Sequence, residues 1–144
     1  MPGEETHGVY QALDYLIGNT KSLLDMPGGE HQFTDLKDQR VVVLGGGDTG
    51  SDCVGTSHRQ GAASVTSIEL LDRPPDERAA GNAWPDWPRT FRSSSSHDEG
   101  GTTYYAEMTK ELVGTDGRVE KLRGVKVRFG PPDASGRPSM EEVP

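Results

Sequence analysis

The stretch "RVVVLGGGDTGSDCVGTSHRQGAASVTSIELL", Arg40 to Leu71, decides the fold. It opens with the aliphatic run Val41–Leu44. Gly45, Gly46 and Gly47 follow directly, then Asp48, Thr49 and Gly50. A helix-length segment runs to about Gln60, where Gly61 stops it, and a second run from Ser64 to Leu71 carries a carboxylate at Glu69. A short aliphatic run, a glycine turn, a helix and a second run make a β-α-β unit. Four consecutive aliphatic residues suit a strand of a parallel sheet, which is buried on both faces.

Gly45, Gly47 and Gly50 satisfy G-x-G-x-x-G in the setting that pattern requires, with a strand before, a helix after and an acid near the end of the second strand. Each glycine has its own reason. Gly45 permits the tight turn, Gly47 lets a pyrophosphate approach the backbone, and Gly50 lets the helix pack against the strand. The helix N-terminus adds unpaired N–H groups and partial positive charge. Gly46, Asp48 and Thr49 complete the candidate phosphate loop, Asp48 as a helix cap and Thr49 as a donor. Glu69 is the candidate acceptor for both ribose hydroxyls of an adenosine, which favours NADH. Arg73 and Arg78, just beyond it, are candidates for a 2′-phosphate and so for NADPH. The same residues also admit a reading without ligand, as a tight turn followed by solvated charges.

Working outward, Val9, Ala12, Leu13, Leu16 and Ile17 predict an amphipathic helix over residues 6–18, with Thr6 as N-cap and Gly18 as stop. A polar connector completes residues 1–39. Residues 72–101 form a long excursion with several prolines, the four serines Ser93–Ser96, and Trp84, Trp87 and Phe91. Those rings predict an ordered loop packed on the domain. From Thr102 onward, "TYYAEMTKELVG" and "VEKLRGVKVRF" flank Thr115–Gly117, a hairpin signal. "GPPDASGR" reads as a further turn and "PSMEEV" as a third strand. The expected fold is α/β: one domain over residues 1–144, with a Rossmann-like parallel sheet, flanking helices and an antiparallel β-meander over 102–144.

Composition narrows the function classes. Of 144 residues, 31% are apolar while Gly and Pro number 19 and 10, which implies many turns. The formal net charge of −8 argues against a nucleic-acid partner, because phosphate binding needs clustered Lys and Arg. The longest aliphatic run is far too short to cross a membrane, and the acidic start does not resemble a signal peptide. A cytoplasmic protein is expected. The lone Cys53 can build neither a disulfide nor a cluster site and is expected in the core. His7, His31, His58 and His97 show no metal-ligand spacing, so no metal site is assigned. Ser93–Ser96 form no G-x-S-x-G elbow, which rejects a serine hydrolase.

Three segments resemble the small (β) subunit of bacterial glutamate synthase: "VVVLGGGDTGSDCVGTSHRQGAASVTSIELL", "GNAWPDWPRTFRSSSSHDEGG" and "YYAEMTKELVGTDGRVEKLRGVKVRF". "GVYQALDYLIGNTKSLLD" extends the likeness toward the N-terminus. The resemblance implies the NAD(P) domain of a disulfide-reductase-like flavoprotein. There the cofactor NADH or NADPH reduces FAD, and electrons pass through iron–sulfur clusters to a large subunit that makes glutamate from glutamine and 2-oxoglutarate. The family's cysteine-rich region and FAD fingerprint do not occur in this sequence. The resemblance therefore implies that FAD and clusters belong to the full-length subunit, that the partners are its FAD domain and the large subunit, and that no side chain here acts as acid or base. Two rivals stay open: the NAD(P) domain of another flavin and iron–sulfur oxidoreductase, or a non-catalytic docking module that uses the tryptophan loop.

Overall fold

The computed structural model describes residues 1–132 and 138–143. Three strands form a parallel sheet, β1 (Arg40–Leu44), β2 (Ser64–Ile68) and β3 (Thr102–Tyr104), in that order. β1 pairs in register with β2 from Arg40↔Ser64 to Leu44↔Ile68. The crossover is helix α2 (Asp48–Arg59), ended by Gly61 at φ +84, the left-handed conformation that glycine adopts without strain. Helix α1 (Ala12–Leu23) packs against α2. The core is small: Tyr15, Val43, Cys53, Val54 and Val65 are buried, with Ala12, Leu16, Leu36, Val41 and Ala62 around them. Gln60 links three elements, accepting from the Leu36 N–H at 3.0 Å and donating to Asn19 Oδ1 at 2.8 Å.

The expected burial of β1 on both faces is corrected. Val41 and Val43 lie under the helices beside Val65 and Ser67, whereas Val42 and Leu44 on the other face are 47% and 43% exposed. Only one side of the sheet is covered by α1 and α2.

The second sheet is antiparallel, with strands β4 (Glu107–Thr115), β5 (Arg118–Pro132) and β6 (Pro138–Val143) in sequence order. Its first turn places Asp116 and Gly117 at φ 50 and 75, a conformation that suits the right-handed twist of a two-residue hairpin. The expected turn over "GPPDASGR" falls mainly on residues 133–137, outside the described residues. Thr102–Tyr104, expected in the meander, belongs instead to the parallel sheet, because Thr66, Ser67 and Ile68 offer β2's free edge to it. The pairing continues past the strands: Glu69 N–H donates to Tyr104 O at 2.8 Å and Glu107 N–H to Glu69 O at 3.0 Å.

The first helix also starts later than its periodicity predicts. Residues 2–9 lie along the meander, with Leu112 N–H donating to Pro2 O at 3.0 Å and His7 bridging to Arg118. Those backbone bonds outweigh the helical pattern. Gly18 does not stop α1. It is buried within it, where a Cβ would run into the Gln32 carbonyl. Glycine here permits close packing of helix on connector.

Between β2 and β3 the chain makes its long excursion, which contains the one-turn helix α3 (Ser95–Asp98). Ser94 caps α3, its Oγ accepting from the His97 N–H at 3.3 Å and lying 2.8 Å from His97 Nδ1. The buried Ser96 lies against Gly55 of α2, and Arg59 pairs with Glu99. Among the described residues no helix is long and apolar enough to cross a membrane.

Candidate functional site

The candidate site lies at the C-terminal ends of β1 and β2. β1 feeds directly into Gly45, whose N–H donates to Ile68 O at 2.9 Å and whose φ of +99 turns the chain. Gly47 follows with extended backbone as the N-cap residue just before α2. A Cβ there would meet nothing within 4 Å, so clear space lies over the start of the helix. A Cβ on Gly50 would strike the Gly45 carbonyl oxygen, so this glycine is demanded by packing. Helix and turn touch backbone to backbone.

Gly46 has a specific neighbour. A Cβ there would land on the carboxylate of Glu69. The acid at the end of the second strand thus reaches back to the glycine turn and touches the middle of it. Asp48 is the first residue of α2 and does not cap it, since the cap position is Gly47 and has no side chain to bond. The Asp48 charge instead complements the helix dipole from within the first turn. Thr49 is exposed beside it.

The two arginines are both engaged. Arg73 stacks 4.1 Å over the Phe91 ring and donates from Nη2 to Asp76 Oδ1 at 2.7 Å. Arg78 donates from Nη1 to the carbonyls of Asn82 and Asp86, at 3.1 and 3.0 Å, and so holds the excursion together. Tyr105 was not singled out by its sequence context. Burial first, then the Glu69 carboxylate, push its phenol up while Arg73 opposes them, so Tyr105 lies within reach of both charges.

The excursion is organised by Asn82, which is buried. Its Nδ2 donates to Trp87 O at 3.0 Å and its Oδ1 accepts from the Arg89 N–H at 2.7 Å. No local pattern marks this residue. The tryptophans, expected to pack on the domain, are instead 84% and 75% exposed at Trp84 and Trp87. Hydrogen bonds to the loop backbone replace ring burial as the source of order. Arg92 stacks 4.8 Å from Trp87 on the outside.

Cys53 is buried in α2, where burial pushes its thiol up. Among the described residues no cluster of three His, Cys, Asp or Glu could hold a metal.

A glutamate synthase [NADPH] small chain of Mycobacterium tuberculosis is 44% identical over 132 residues, which is 88% of this chain. This chain is a homologue of part of glutamate synthase. It spans 27% of the length of that relative. The glutamate synthase [NADH] of Schizosaccharomyces pombe is 39% identical over 99% of this chain, which covers 7% of that protein. No family model matches the chain. Among solved structures, FprA from Mycobacterium tuberculosis, a His57Gln mutant, superposes over 99% of this chain and 43% of its own, with a TM-score of 0.61 at 14% identity. The shared fold is α/β, with a parallel sheet joined to an antiparallel one.

Proposed function

We propose that this chain is the NAD(P)H-binding, electron-input domain of a glutamate synthase small subunit, over residues 1–144. The observation that carries the reading is the clear space over Gly47 at the start of α2, with the Glu69 carboxylate against the same turn. Space, N–H groups and a hydroxyl acceptor are what a dinucleotide's pyrophosphate and ribose need. Gly45, Gly46, Gly47, Thr49 and Gly50, with Asp48 through its backbone N–H only, would hold the phosphates and Glu69 the ribose, with Arg73 and Arg78 on the 2′ side. The nicotinamide supplies the hydride when bound. This chain's own residues bind and orient it, and none need move a proton.

Electrons would pass to FAD in the FAD domain of the same subunit, then through iron–sulfur clusters to the large subunit, for glutamate synthesis from glutamine and 2-oxoglutarate in the cytoplasm. Cys53, buried in the core, leaves cluster binding to other parts of the protein. The relatives' names carry both NADPH and NADH, which supports a nicotinamide cofactor and leaves the choice to Glu69, Arg73 and Arg78. The test is calorimetric titration of the chain with NADH and NADPH beside a visible spectrum. Saturable binding by a colourless protein is expected, and absence of heat with both nucleotides would overturn the reading. A second reading, a subunit-docking module, is favoured by one observation, the exposure of Trp84 and Trp87 on a loop with an ordered backbone.

A further inference from the structure

We propose that Asp76 is a positioning residue that sets the cofactor preference by occupying Arg73 and withholding it from a 2′-phosphate. The inference rests on the dinucleotide reading of the Gly45–Glu69 site. Arg73 is held by a stack, an ion pair and a longer bond from Nη1 to the Pro74 carbonyl at 3.5 Å. The Phe91 ring takes the face of the guanidinium at 4.1 Å. Asp76 takes its edge, accepting from Nη2 at 2.7 Å.

A phosphate on the ribose 2′ oxygen needs that same edge, because guanidinium N–H groups point outward in the plane of the group. The stack therefore leaves Arg73 oriented for an anion while Asp76 already supplies one. Asp76 competes directly for the N–H, and its charge also repels a dianion. Asp76 responds to its neighbour: the bond from Arg73 holds the Asp76 carboxyl below the ordinary carboxylate range.

The surroundings add to the effect. Between Glu69 and Glu77 there are four carboxylates, Glu69, Asp72, Asp76 and Glu77, against the single base Arg73. Arg78, next in sequence, spends its Nη1 on two loop carbonyls. With Asp76 in place, the Nη edge of Arg73 is shared between the Asp76 carboxylate and the Pro74 carbonyl, and a 2′-hydroxyl is accepted more readily than a 2′-phosphate. Without it, Phe91 still holds the guanidinium in place and the edge becomes available.

The experiment is calorimetric titration of the parent chain, Asp76→Asn and Asp76→Glu with NADH and NADPH separately. The pair is exposed, so the competition is modest: NADPH should bind Asp76→Asn about two- to fivefold more tightly than the parent, on the scale of a surface ion pair. NADH affinity should stay constant, Asp76→Glu should keep the parent ratio, and Arg73→Gln added to Asp76→Asn should abolish the gain. An unchanged NADPH:NADH ratio in Asp76→Asn, with NADH still bound, overturns the role of Asp76 and leaves the nucleotide site standing. A gain that survives Arg73→Gln also overturns it. Failure of both nucleotides to bind any variant overturns the site and this inference together.

Discussion

Two loops leave neighbouring parallel strands at the same end of the sheet, and they are ordered by different means. The turn after β1 is three glycines long and is shaped chiefly by backbone: Gly45 at positive φ, Gly47 under open space, and the Gly45 carbonyl against Gly50 of α2. The excursion after β2 runs to residue 101 and is ordered by side chains, chiefly Asn82 and Arg78 bonding loop carbonyls and an N–H. The short loop touches its helix through main-chain atoms at Gly50, where added volume is not tolerated, while Gly45 and Gly47 face open space. The long loop holds its shape from inside and leaves its largest rings in water. A backbone-built turn should fail by steric insertion, and a side-chain-built loop by loss of single polar groups.

Valine substitutions in the short loop sharpen that contrast most. Gly50→Val forces a branched side chain onto the Gly45 carbonyl and should cost about 3 kcal/mol, as overpacking against an unyielding neighbour does. A urea midpoint reads it. Gly47→Val, three residues earlier, meets nothing and stands on ordinary extended backbone, so the urea midpoint should hold. Its methyls would instead fill the space over the helix start and weaken nucleotide binding by more than about thirtyfold, about 2 kcal/mol. If Gly47→Val leaves affinity unaltered in a folded chain, the dinucleotide does not use this turn.

In the long loop the polar group outweighs the aromatic one. Asn82→Ala removes two hydrogen bonds from a buried position and should cost about 1–2 kcal/mol, seen as faster amide exchange over residues 78–92 with α2 unaffected. Trp84→Ala removes a far larger side chain from an exposed position and should change stability by less than about 0.5 kcal/mol. A large loss at Trp84 would show that the ring is buried in solution against something in the same chain.

The core behind the short loop has its own pH signature. Burial raises both the Tyr15 phenol and the Cys53 thiol, so the folded state holds their protons more tightly than the unfolded one. Their contribution is fully present below the ordinary thiol and phenol range. It declines as pH rises through about 8.5 to 10 and on through the raised folded values. Thermal midpoints measured across that range should fall, and Cys53→Ser should flatten the lower part of the decline.

The β1-turn-α2-β2 unit was legible because its causes are local. A four-residue aliphatic run, glycines spaced to relieve particular clashes and a stop at Gly61 each act within a few residues, so their order in the chain is their order in space. The end of β2 was less legible: the second run reads as a strand to Leu71, whereas β2 stops at Ile68, so the candidate carboxylate Glu69 lies just past it. Tertiary structure alone decided the rest. Whether Thr102–Tyr104 joins the parallel or the antiparallel sheet depends on the free edge of β2, far back in the chain, and three residues carry no period of their own. The late start of α1 depends on the meander, whose backbone groups hold residues 2–9 in turns and a bridge beside it, against the helical pattern that begins at residue 6. Asn82 and Asp76 look like any loop Asn or Asp until the fold brings them to Trp87 and Arg73. Sequence determines what a segment can do by itself, through sterics and period. Which distant edge, carbonyl or guanidinium it finally meets is a competition among partners, and only the assembled chain resolves it.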